Sequence, residues 1–115
     1  MKGWDSALLW VSLGAIPGAL LRWVLPSTVV ANTLGCFVFG AAGLLASPSS
    51  RCRWLVGVGF ASSLTTFSTW MLELVRHLEA GQWRALLGQI FRDGVLGLIA
   101  LLLGATLHRR AGFRR

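Results

Sequence analysis

Between Ser62 and Trp70 the chain reads SSLTTFSTW, with six hydroxyl side chains and two aromatic rings in nine residues. The preceding residues, WLVGVGFA from Trp54, suit a bilayer, so the hydroxyls fall within an otherwise membrane-spanning segment. One or two hydroxyls in such a helix turn back onto carbonyls about a turn earlier and soften it. Six exceed that role, and lipid offers them no partner, so they must face protein or water. An interrupted helix is the sharper expectation. Irregular backbone is tolerated at membrane depth where it is buried or lines a cavity, and its freed carbonyls can hold a cation there.

Outside this stretch, polar residues are few. Asn32 lies a few residues inside the second apolar stretch and shares a face with Gly35 and Phe39 at i, i+3 and i+7. Its amide is either interhelical hydrogen-bond glue, worth ~0.6 kcal/mol on average, or a functional group where another helix comes close. Cys36, Gly40 and Gly43 line the neighbouring small-residue face. Gly14 and Gly18 flank Pro17 at a spacing that favours close helix packing, and Arg22 follows near the segment end, placed to snorkel or to cap carbonyls. Arg92 and Asp93 bring charge to the fourth segment. They mark either an interfacial start, with AGQWRALLGQIF lying partly along the surface, or a polar path.

Catalysis has little to build on. His77 and His108 both sit at segment ends without a carboxylate cluster, and Cys36 and Cys52 belong at different depths, which excludes a disulfide between them. The residues point away from an enzyme.

The elements that must position these groups are membrane helices. Of 115 residues, 55% are hydrophobic and 13% charged. Four apolar segments, about 6–25, 28–46, 54–75 and 85–107, predict one all-α transmembrane domain over 1–115 with short connections. The first segment is expected to stay in place, because Lys2, Trp4 and Asp5 before it do not form a cleavable leader. The net charge of +7 does not indicate nucleic acid, since the arginines punctuate the apolar segments and close the chain. Assigned to alternate sides of the bilayer, Lys2, Arg51, Arg53, Arg109, Arg110, Arg114 and Arg115 share one side. Arg76 and Arg84 take the other, with Arg22 and Arg92 undecided. Seven against two to four places both termini in the cytoplasm.

Four motifs together resemble the small fluoride channels of the Fluc/CrcB family over nearly the whole length. GAIPGALLRW is similar to the family's first-helix pattern, VVANTLGCFVFG to its second, and GLIALLLG to its paired fourth-helix glycines. GFASSLTTFSTW resembles the third-helix signature GFxGGxTTFSTF, and TTFST is the most specific part.

The resemblance implies an antiparallel dimer of four-helix subunits with a broken third helix, two fluoride pathways and a structural Na⁺ at the dimer centre. By motif position, the Na⁺ ligands would be the backbone carbonyls of Ser62 and Thr65. Asn32, Phe67, Ser68, Thr69 and Trp70 would line the ion pathway, and Gly14, Gly18 and Arg22 would be structural. Fluoride is small and strongly hydrated, so a narrow route must replace its water with N–H and O–H donors and electropositive ring edges. The sequence departs from the pattern where Ser62 and Ser63 replace a glycine pair, where Trp70 replaces the second Phe, and where Asp93 adds a carboxylate to the fourth helix. The implied partners are fluoride, the inner-membrane bilayer and an inverted second subunit. The charge bias favours a related chain over a second copy in that last role. Two other classes compete. A proton-coupled small multidrug transporter needs a carboxylate deep in its first helix, and Ser6 to Leu21 has none. A non-conducting subunit of a heteromeric channel would suit the three departures.

Overall fold

The computed structural model describes residues 2–44 and 49–113, and these are helical apart from short connections. The order is α1 (Lys2–Val24), α2 (Thr28–Ala41), α3 (Ser50–Cys52), a π-helix π1 (Arg53–Ala61), α4 (Ser62–Leu64), α5 (Ser68–Glu79) and α6 (Trp83–Phe113). Asp5 in the first turn of α1 and Arg22 in its last complement the helix dipole, and the helix runs through Pro17. Three stretches are long and apolar enough to cross a membrane: Asp5–Val24, Arg53–Glu79 and Trp83–Gly112. Thr28–Ala41 is a shorter apolar helix.

Packing sorts the helices into two parallel pairs. In the first, Gly14 of α1 lies against the Leu55 carbonyl of π1, and a Cβ on Gly18 would stand 2.6 Å from the Phe60 carbonyl. Gly59 completes the crossing, where a Cβ would come within 2.6 Å of the Val11 carbonyl. In the second pair, Gly40 of α2 abuts the Leu101 carbonyl of α6, and Gly104 abuts the Phe37 carbonyl. Backbone touches backbone at both crossings because no side chain intervenes, as expected where lipid tails supply no hydrophobic drive and van der Waals contact dominates. Ala31 and Leu64 are fully buried, while Leu8, Leu13, Ile16, Leu98, Leu102 and many other large apolar side chains are exposed, as suits a surface that meets lipid or another subunit.

At one end of the molecule the Arg51 guanidinium lies 5.7 Å from the Trp10 ring centroid. His108 packs on Gly43, and the Cys52 thiol reaches the Ala42 carbonyl at 3.6 Å. Arg51, Arg53, Arg109 and Arg110 therefore share that end, while Arg22 and Arg92 both line a cleft at the other with Thr28 and His77. Cys36 and Cys52 are free thiols.

The second segment is shorter than its expected span of 28–46. Gly43 adopts a left-handed φ of +73°. Its N–H donates to the Gly40 carbonyl at 3.1 Å, and the Leu44 N–H donates to the Phe39 carbonyl at 3.4 Å. This paired pattern ends a helix and satisfies its last carbonyls. Residues 45 and 46 lie outside the described residues. Gly81, at φ +69°, ends α5 in the same way, with N–H donation from Gly81 to Leu78 and from Gln82 to His77. The fourth segment is longer than 85–107, because the AGQWRALLGQIF stretch enters the same helix from Trp83 and α6 continues to Phe113. In the third, residues expected to form an ordinary helix are π-helical from Arg53 to Ala61. Gly59 removes a side chain that would resist the close approach of α1, Gly57 faces the Leu44 side chain, and the Ser62 hydroxyl donates to the Gly57 carbonyl, five residues back, at 3.0 Å.

Candidate functional site

After Leu64 the third segment leaves the helix. Thr65 is extended at φ −77° and ψ 152°, and helix resumes at Ser68. The six hydroxyls divide at this point. Ser62, Ser63 and Thr65 turn back onto the carbonyls of Gly57, Phe60 and Ala61 at 3.0, 3.1 and 3.0 Å. Thr66, Ser68 and Thr69 instead gather at the gap: the Thr66 hydroxyl donates to Thr69 Oγ1 at 3.2 Å and lies 3.5 Å from Ser68 Oγ.

Asn32 holds the gap open. Its Nδ2–H donates to the Thr66 carbonyl at 3.1 Å, and its Oδ1 accepts the Thr66 N–H at 2.7 Å. One side-chain amide thus serves both backbone groups of an extended residue, which would otherwise be left unpaired. In an unbroken helix the Thr66 N–H would close onto the Ser62 carbonyl, and the Thr69 N–H onto Thr65. Asn32 takes the first, and Thr66 Oγ1 accepts the second at 3.3 Å. The Ser62 carbonyl keeps only a long 3.5 Å contact from the Thr65 hydroxyl. Ser62 and Thr65 both line a cleft of about 340 Å³ with Gly35, Cys36, Phe39 and Leu101. Carbonyls released from a helix beside a cleft are hard oxygen donors suited to a small cation.

Phe67 precedes α5 at its N-cap position, and Ser68, Thr69 and Trp70 open the helix, at the positive end of its dipole. Phe67 is 72% exposed. Its ring centroid lies 5.9 Å from that of Trp70, tilted by 43°. The Trp70 indole N–H is engaged elsewhere, donating to Asp93 Oδ2 on α6 at 2.8 Å. Asp93 Oδ1 accepts from Arg92 Nε at 2.9 Å. Arg22, which the sequence leaves between snorkelling and capping, lines two polar clefts. One, of about 770 Å³, includes Thr28, Thr69, Glu73, His77 and Gln89. The other, of about 420 Å³, includes Ser63, Thr65, Thr66 and Thr69. Arg22 and Thr69 are common to both, so the wide cleft adjoins the gap. Gly14 lies away from this region, in the α1–π1 crossing, whereas Gly18 in the same crossing also abuts the Ser63 hydroxyl, which lines the smaller cleft.

Sequence reasoning missed Glu73. Its Oε1 accepts from the Thr28 hydroxyl at 2.7 Å and its Oε2 from Gln89 Nε2 at 2.8 Å, so one carboxylate links α2, α5 and α6. The signal was available: Thr66, Thr69, Glu73 and His77 recur at spacings of three, four and four, a polar stripe of helical period.

Comparison with known proteins adds an independent line. The family described as "CrcB-like protein, Camphor Resistance (CrcB)" matches residues 9–105. A Parasynechococcus marenigrum (strain WH8102) protein named "Fluoride-specific ion channel FluC 2" is 50% identical over 109 residues, covering 91% of this chain and 83% of that one. A protein of the same name from Synechococcus sp. (strain CC9605) is 49% identical, covering 90% and 81%. "Fluoride-specific ion channel FluC 1" of Prochlorococcus marinus (strain NATL2A) is 33% identical, covering 92% of each.

Proposed function

The chain belongs to the CrcB family, and from that premise we propose that it is a subunit of a fluoride-selective channel through which cytoplasmic fluoride leaves the cell passively. The observation that carries the reading is the gap between Leu64 and Ser68, where hydroxyls and the amino end of α5 stand beside two aromatic rings and adjoin a cleft lined by Arg22 and Arg92. A dehydrated fluoride needs such donors, and only a small, strongly basic anion gains enough from them to enter. Phe67, Ser68 and Thr69 lie on the ion's route, Trp70 borders it through its ring, and Asn32 borders it while fixing the backbone.

The protein is a multi-pass membrane protein. Its proposed setting is the inner membrane, with both termini cytoplasmic, supported by the clustering of Arg51, Arg53, Arg109 and Arg110 at one end. The broken third helix is proposed to lie at the centre of an antiparallel dimer, with the carbonyls of Ser62 and Thr65 from each subunit around a structural Na⁺. Their release by Asn32 and Thr66 supports the fit, and the ion would supply a fixed positive charge between the pathways without an acidic cage. The partner is proposed to be an inverted, related chain. The one-sided basic residues support this, as do relatives whose names are numbered 1 and 2.

Liposomes containing the purified assembly, alone and with a related chain encoded beside it, test the reading. Fluoride should leave loaded vesicles while chloride is retained. Efflux no faster than from empty vesicles, with a working control channel in parallel, overturns it.

A further inference from the structure

Trp70 and Asp93 are two of the three departures from the family pattern, and they meet in one hydrogen bond of 2.8 Å. Asp93 is 11% exposed at its side chain and Arg92 is 55% exposed. The carboxylate is thus enclosed between an indole N–H on one oxygen and a guanidinium at the edge of the wide cleft on the other. We infer that Asp93 is a positioning residue that acts through Trp70, pinning the indole to α6 so that the ring's carbon face and edge, and not its N–H, border the route beside Phe67. The inference rests on the channel reading above.

A phenylalanine at position 70 would need no partner. An indole brings a donor that must be satisfied at membrane depth. Left free beside an anion route, it swings toward whatever acceptor is nearest, and dehydrated fluoride is a strong one. A route conducts only where its sites release the ion as readily as they take it, so a mobile indole N–H both narrows the passage and holds the ion. An unpaired carboxylate at the same depth would repel fluoride. Arg92 removes that penalty by accompanying Asp93, so the chain of Trp70, Asp93 and Arg92 is close to neutral where it meets the route. The three side chains therefore act as one unit: the tryptophan needs an acceptor, and the acceptor's charge needs the arginine.

The test uses the complete assembly. Fluoride flux is measured for the wild type, Asp93→Ala, Asp93→Asn, Trp70→Phe and Trp70→Phe with Asp93→Ala. The Trp70 indole proton, identified by its loss in Trp70→Phe, is followed by nitrogen-15 NMR in nanodiscs. Asp93→Ala should lower flux about tenfold, the population change that accompanies one hydrogen bond to a charged group. Asp93→Asn keeps a carbonyl acceptor and should remain near the wild type. In the Trp70→Phe background, adding Asp93→Ala should change flux by less than about twofold, because its effect has lost its intermediary. The indole proton should move upfield in Asp93→Ala and much less in Asp93→Asn.

A deficit from Asp93→Ala that persists undiminished in the Trp70→Phe background overturns the inference, because the carboxylate then acts without the indole. So does an indole signal in a conducting assembly that Asp93→Ala leaves unmoved. A wild-type assembly that passes no fluoride overturns the channel reading, and with it the role assigned to Asp93, even where the indole signal responds as expected.

Discussion

The α1–π1 crossing and the α5–α6 crossing join helices by opposite means. At the first, Gly14, Gly18 and Gly59 bring main chains into direct contact. At the second, Trp70 reaches Asp93 and Glu73 reaches Gln89, and side-chain hydrogen bonds span the gap. Close backbone contact admits one arrangement and tolerates no added atom, whereas long polar side chains can adjust their rotamers without moving the helices. The rigid crossing holds the end of π1 and α4 in place, and the adjustable one carries the start of α5. The gap between Leu64 and Ser68 is where the two regimes meet, and Asn32 keeps them apart.

The largest effect should come from adding bulk to the rigid crossing. Gly14→Leu would drive a side chain into the Leu55 carbonyl, which cannot retreat without separating the helices, and overpacking costs ~1–3 kcal/mol or more. The expected outcome is loss of monodisperse protein on size exclusion in detergent. Gly94→Ala, where an added Cβ meets nothing within 4 Å, should be tolerated or gain ~0.5–1 kcal/mol from helix propensity. Equal tolerance of both substitutions would break the comparison.

Next in size is the hinge between the regimes. Asn32→Ala removes both bonds to Thr66. The freed Thr66 N–H should turn back toward the Ser62 carbonyl, lengthening α4 and closing the gap. Stability should fall by ~1 kcal/mol, because the Thr66 N–H finds a new acceptor and only the part-buried Thr66 carbonyl loses its partner, with assembly preserved and fluoride flux strongly reduced. Loss of assembly with full flux per assembled channel would return Asn32 to a packing role. Phe67→Ala should separate function from stability more cleanly. The ring is mostly exposed in the subunit, so stability should change by no more than ~0.5 kcal/mol while flux falls.

Much of the rigid half is legible in the sequence, because small residues at fixed spacings and charge-free runs follow directly from what a bilayer demands. TTFST likewise coincides with the stretch where the third segment leaves the helix. The adjustable half is less legible for a physical reason. Trp70 and Asp93 are 23 residues apart, and no local period relates them; only the placement of α5 against α6 makes them partners. Thr28 and Glu73, 45 residues apart, are of the same kind. Two misses were recoverable locally. Gly43 signals the end of α2, as a glycine after an apolar run often does, and the stripe from Thr66 to His77 identifies Glu73 as part of a polar face. The π-helix leaves no trace in composition, since glycine, valine and alanine serve either helix.

The smallest effect is the sharpest measure of how firmly α5 is held. Thr28 and Glu73 form a 2.7 Å bond between α2 and α5, and Glu73 keeps a second partner in Gln89 when Thr28 is lost. A carboxylate with a remaining partner and a polar cleft beside it can recruit water, so removing the threonine hydroxyl should cost much less than the short distance suggests. A double-mutant cycle with Thr28→Val and Glu73→Gln, read by reversible unfolding in detergent, should give a coupling near ~0.6 kcal/mol, the average for hydrogen bonds between membrane helices. A value well above ~1.7 kcal/mol, the upper end for such bonds, would mean that α5 is fastened as tightly as α1, and the contrast between the two crossings would fail. A value near zero would instead place the hold on α5 with Trp70 and Asp93. The effect of Asp93→Ala on stability should then exceed that of Thr28→Val, and both are measured by the same unfolding.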